Sequence, residues 1–203
     1  MKTWKDIKLE ALGLMFSRTD GGAVVALTSE DVADFANEMI DAANYALRDL
    51  ATVVPIVRVL RLAQQVAGLK KYDLRELAPD FMRLIDDRLA FEDGDRYESV
   101  DEYRLEGGAV IVLPGRESGA YLLSYEAYPE EVRADTPEGQ TFSLAPEALD
   151  LVPVYMASRI YGEEDISLAT HYLNQYHVRR SELAARGMPR GTGGGFTTRT
   201  GWS

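Results

Sequence analysis

No cysteine occurs in the 203 residues, and only two histidines do. The first absence excludes disulfides, thiolate nucleophiles and every cysteine-bearing metal site. The second leaves His171 and His177 as the only imidazoles for a triad or a metal. They stand six residues apart in the sequence, so on a helix they point in different directions and cannot chelate one ion as an i, i+4 pair does. No apolar run approaches the roughly 20 residues that a bilayer span needs. The opening MKTWKDIKLEALGLMF disperses its charges among apolar residues, unlike a secretory leader. Also missing are a G-x-S-x-G elbow and a phosphate-cradling G-x-x-x-x-G-K-[ST] loop. The GTGGG near the C-terminus follows no strand, opens no helix and lacks the lysine. The expectation is a protein that is not an enzyme, with no catalytic residue, no metal ligand set and no cofactor. A small hydrolase using His171 or His177 with a carboxylate partner is the alternative from another class.

Basic residues are scarce as well. Lys and Arg number 22 against 33 Asp and Glu, a formal net charge of −11. A chain so acidic does not grip nucleic acid over most of its surface. The charge is unevenly placed: residues 179–203 hold five arginines and one acid, which leaves 17 basic and 32 acidic residues in a body at −15. An acidic body with a basic tail can serve as two halves of an intermolecular contact.

The residues that are present arrange themselves mainly at helical spacing. Thr3 caps a first helix to about Phe16, with Asp6 three residues on and Trp4, Ile7, Ala11 and Leu14 on its apolar side. A second starts near Thr28 or Ser29 and carries Val32, Phe35, Ala36, Met39, Ala43, Leu47 and Leu50. From Leu144 to Gly187 two long helices form an antiparallel hairpin around a short acidic turn, the first kinked at Pro153, the second capped by Asp165. The second of the pair sets Ala169, Tyr172, Leu173, Tyr176 and Leu183 on one side and crowds Arg179, Arg180 and Arg186 at its end.

Between these, Pro55 and a run of β-branched residues favour a strand from about Ile56 to Leu62, with a helix as the alternative. YDLRELAPDF reads as a turn or a single helical turn. A β-rich section follows from about Met82 to Ala127, punctuated by EDGD, GG and GRESG. The predicted fold is α+β: a helical bundle of four main helices ending in a C-terminal helical hairpin, with an inserted small antiparallel β section and an extended C-terminal arm. Its parts are 1–55, the N-terminal helices; 56–130, a mixed, β-rich insertion; 131–187, a loop and the hairpin; and 188–203, the arm. That arm, MPRGTGGGFTTRTGWS, holds Phe196 and Trp202 without an apolar period of its own, so it needs a partner to order it. Tyr155, Tyr161, Tyr172 and Tyr176 suit a helix–helix core or a subunit interface better than a cofactor box.

Four segments and the terminal T-G-W carry a likeness. They are W-x-D-I-K-L-x-x-L-x-L-M-F (Trp4 to Phe16), A-N-x-A-L-x-x-L-A-T (Ala43 to Thr52), L-V-P-x-Y-M-A-S-x-x-Y (Leu151 to Tyr161) and D-I-x-x-A-T-x-Y-x-N-x-Y (Asp165 to Tyr176). Together they resemble the head–tail connector (adaptor) proteins in the neck modules of tailed bacteriophages and prophages. The resemblance implies a virion structural protein, a homo-oligomer that commonly forms a twelve-subunit ring beneath the portal protein and above the next neck or tail protein. It implies assembly in the host cytoplasm, residence in the virion neck, no membrane, and a channel through which genome DNA passes without sequence-specific binding. Carried onto this sequence, residues 188–203 become a portal-docking arm with Phe196 and Trp202 as anchors and Arg190 and Arg199 as charged contacts. Tyr161, Tyr172, Tyr176, Arg179 and Arg180 become candidates for lateral subunit contacts. A tail-completion or stopper protein of the same neck is the nearest rival.

Overall fold

The computed structural model describes residues 2–16, 36–63, 68–115, 119–162 and 165–186. In chain order the elements are α1 (Trp4–Phe16), α2 (Ala36–Val53), β1 (Ile56–Ala63), β2 (Lys70–Asp73), α3 (Leu74–Leu77), β3 (Phe81–Asp93), β4 (Arg96–Ser99), β5 (Arg104–Glu106), β6 (Val110–Leu113), β7 (Ala120–Ala127), α4 (Pro146–Leu149), α5 (Val152–Ile160) and α6 (Ile166–Arg186). They divide between two units, one drawn from Met1–Ile56 and Pro129–Gly187, the other from Val57–Tyr128.

In the first unit, α1 opens on a reciprocal cap. The Thr3 N–H donates to Asp6 Oδ2 at 2.9 Å, and the Asp6 N–H donates to Thr3 Oγ1 at 3.2 Å. Trp4, Ile7, Ala11, Leu12 and Met15 enter the core, while Leu14 is half-buried. Met39, Ala43, Leu47 and Leu50 of α2 are all buried, as their spacing predicts. The expected helix start at Thr28 or Ser29 lies outside the described residues. Asn44, itself buried, donates from Nδ2 to the Val132 carbonyl and accepts from the Val132 N–H, both at 2.8 Å. A buried amide satisfied on both sides in this way ties the loop ahead of α4 to α2.

The long kinked helix expected near Pro153 is two helices instead. Proline has no N–H to give the Leu149 carbonyl, so α4 stops at Leu149 and α5 restarts with Pro153 in its first turn. Asp150 and Leu151 keep right-handed helical angles between them. Asp165 caps α6, accepting from the N–H groups of Ser167 and Leu168 at 2.9 and 3.0 Å. Tyr161 stacks on Tyr172 with ring centres 6.2 Å apart, and Tyr155 meets Tyr176 at 5.0 Å. Pairs that rise on one helix while falling on the other mean that α5 and α6 run antiparallel.

The second unit holds two sheets, of order β1-β7-β3-β4 and β2-β6-β5. The predicted strand from Ile56 to Leu62 is β1, and the predicted single turn of helix is α3, capped by Asp73. MRLID and RLAFED fuse into the 13-residue β3, whose register against β7 jumps between Leu84 and Leu89. Phe91 and Tyr121 meet edge-on at 5.0 Å, and Phe81 and Tyr125 at 5.7 Å. EDGD makes the β3–β4 hairpin, with Asp93 opposite Arg96 and Gly94 at φ 60°.

A helical bundle with a small β insertion is therefore the wrong description. The molecule is mixed α/β and β-rich, with two antiparallel sheets between Ile56 and Ala127. The sequence reading falls short because β2, Lys70–Asp73, is too polar and short to announce itself. It exists because it pairs with Val110–Leu113, some forty residues on.

Candidate functional site

Two i, i+4 pairs define the most articulated site of the helical unit, since residues four apart share one helix face. On α2 these are Tyr45 and Asp49; on α6 they are Tyr176 and Arg180. The Asp49 carboxylate accepts from the Tyr176 hydroxyl at 2.7 Å and from Arg180 Nε and Nη2 at 2.6 and 2.8 Å, a side-on guanidinium fork. The same Nη2 reaches Thr52 Oγ1 at 3.2 Å. Tyr155 of α5 lies against both neighbours, stacked on Tyr45 at 5.0 Å and 12° and tilted 56° to Tyr176. With Ser158, Arg159, Thr170, Leu173 and His177 these residues line a cleft of about 340 Å³.

Burial, and then the hydrogen bond to Asp49, push the Tyr176 phenol far above its ordinary range, so it remains a donor. Burial also raises Tyr155. The hydrogen bonds to Asp49 hold Arg180 above the usual guanidinium range. The phenol is kept protonated and the carboxylate is occupied by three donors. What faces outward is the ring of Tyr45, 58% exposed, beside Arg159 and His177. Arg159 has no ion pair among the described residues. Chemically the cleft is equipped for recognition, with a flat aromatic surface next to a cation.

Of the residues singled out in the sequence, Tyr176 is completely buried and Tyr161 and Tyr172 nearly so. The Tyr161 hydroxyl donates to the Met15 carbonyl and the Tyr172 hydroxyl to the Leu14 carbonyl, so both fasten α1. Arg180 is half-buried on Asp49, whereas Arg179 is exposed at a shallow depression shared with Glu147, Asp150, Glu182 and Arg186. His177 lines the tyrosine cleft and His171 is exposed beside Tyr172. Among the described residues neither histidine is bonded to a carboxylate, and no group of three metal-ligating side chains occurs. Arg190, Phe196, Arg199 and Trp202 lie outside the described residues.

Sequence reasoning passed over Tyr45, Asp49 and Arg159. The signal for the first two was available: a Tyr-x-x-x-Asp on one helix complements the Tyr-x-x-x-Arg on another. No family model matches this sequence, and no curated protein matches it.

Proposed function

We propose that this protein is a head–tail connector (adaptor) of a tailed-phage neck. It forms a homo-oligomeric ring, twelve-fold as the resemblance implies, beneath the portal and joins it to the next neck or tail protein. It does structural work and catalyses nothing. Residues 188–203 dock on the portal through Phe196 and Trp202, with Arg190 and Arg199 as charged contacts. The acidic body lines a channel whose charge matches that of the genome, so DNA slides without adhering.

The observation that carries this reading is convergence. The four segments bearing the resemblance are scattered from Trp4 to Tyr176, yet they meet in one unit through side chains of those same segments. Tyr161 and Tyr172 bond the backbone of α1, Tyr45 stacks on Tyr155, and Tyr176 bonds Asp49. The β-rich unit takes no part in this support.

The test is retention on the portal protein of the same neck module, comparing the full chain with one ending at Gly187. Full-length protein co-purifies with portal rings and the truncated chain does not. Equal retention of both sinks the docking-arm adaptor. Retention on the tail protein alone makes it a stopper.

A further inference from the structure

The four-stranded sheet ends in two edges of opposite character. Among the described residues no strand lies outside β1 or β4. Natural proteins blunt long edges with lysine, proline, bulges or a cover, because an open strand templates pairing with another chain. β1 spans eight residues without a lysine or proline, its charges are a half-buried Arg58 and an exposed Arg61, and it exposes Val57 and Val59 at 48% and 62%. At the other edge all four residues of β4 are exposed, Tyr97 among them.

We propose that β1 of one copy of this chain pairs with β4 of the next, extending the sheet head to tail. Three observations select this occupant. The first is charge. IVRVLRLA carries Arg58 and Arg61 and no acid, whereas residues 92–102, around β4, carry six acids and one arginine. Two-fold pairing of β1 with β1 would oppose arginines, and β4 with β4 would oppose acids. Head-to-tail pairing opposes unlike signs.

The second is strand direction. In an antiparallel sheet of order β1-β7-β3-β4, the outer strands run in opposite directions. A second copy in the same orientation therefore brings its β1 antiparallel to β4, and the alternation continues unbroken.

The third is the face. Glu92 lies opposite Tyr97 in the register, accepts from its hydroxyl at 3.2 Å, and accepts from Arg61 Nε at 2.7 Å. Arg61, Glu92 and Tyr97 thus share one face of the sheet. Val57 and Val59 share it too, because alternate residues of a strand point the same way. On extension, Tyr97 meets the exposed valines of the next copy as an aromatic–β-branched pair. Such head-to-tail contacts close into a ring when the rotation permits.

This inference rests on the ring reading only in requiring that copies associate, and it supplies the lateral contact of that ring. The absence of cysteine makes the test clean. Val59→Cys and Tyr97→Cys single variants and the double variant are oxidised, both free and on portal rings. The two singles mixed give a covalent dimer, each alone gives none, and the double variant gives a ladder of oligomers. Val57→Lys added to the Val59→Cys variant sets a charge beside the cross-linking position on the same edge, and the yield of mixed dimer with Tyr97→Cys falls while circular dichroism stays native. Dimers from either single alone, or no ladder in free and ring-bound protein alike, overturn the edge pairing. If portal binding by the full chain persists in that case, the connector reading stands and only this contact falls.

Discussion

Tyr176 shows what one side chain decides here. Its ring fills the space beside Tyr155 and its hydroxyl gives Asp49 the donor that Arg180 leaves room for. Tyr176→Phe keeps the ring and removes one hydrogen bond to a charged group, a loss of about 1–3 kcal/mol in unfolding free energy near neutral pH. The pH dependence follows from the raised phenol. An unfolded tyrosine ionises near its ordinary value of 10.0 while the folded one does not. Its contribution is therefore complete below about pH 10 and is lost as pH rises above that value, through the folded pKa. Phenylalanine has no proton to lose, so the gap between wild type and variant narrows above pH 10. Urea midpoints of both proteins between pH 8 and 12 check this, and a gap that widens with pH contradicts it.

At the scale of the element, breaks and turns matter more than periodicity. Pro153 turns one predicted helix into α4 and α5, and Gly119 sets the entry to β7. Gly119 has φ +92°, and a Cβ there would sit 2.2 Å from the Glu92 carbonyl oxygen and 2.6 Å from the Phe91 ring. Both the left-handed backbone and the contact with main-chain oxygen oppose any side chain. Gly119→Ala should lower unfolding stability by at least about 2 kcal/mol, read from the urea midpoint of the full chain. Gly107, also at positive φ but with open space around it, is the control, and its alanine variant loses less. An equal loss at both positions would assign the effect to backbone angle alone.

These elements also mark how far the sequence could be read. The caps at Thr3 with Asp6 and at Asp165 rest on contacts within a few residues, and the strand at Ile56 announces itself by its β-branched composition although its partner β7 is distant; each was legible. The tyrosine partners were half legible: their helical spacing is plain, but Tyr161 reaching the Met15 carbonyl spans 146 residues. The pairing of β2 with β6 left no local trace at all, and with it went the true extent of the β structure.

For the whole molecule, the division of charge and of chain governs behaviour. A body at −15 repels its own copies, so assembly needs specific contacts that overcome the repulsion. The proposed contacts are of two kinds, sheet edge to sheet edge and arm to portal. They are separable by experiment. The chain ending at Gly187 should keep the melting temperature of the full protein and still give the Val59–Tyr97 cross-link, while losing the portal. A fall in melting temperature on truncation would mean that the arm belongs to its own globule, and the docking role would go with it.

Composition and local pattern by themselves determined the absence of thiol chemistry, the helical segments with their caps, the first strand, and the acidic surplus with its basic end. Those features depend on identity and short spacing, which the linear order contains. Only the tertiary structure decided that the chain is β-rich, that Tyr45 and Asp49 meet Tyr155, Tyr176 and Arg180, and that one sheet ends in edges of opposite sign. Each of those results from pairing between residues far apart in the chain, where packing and register, rather than propensity, choose the partner.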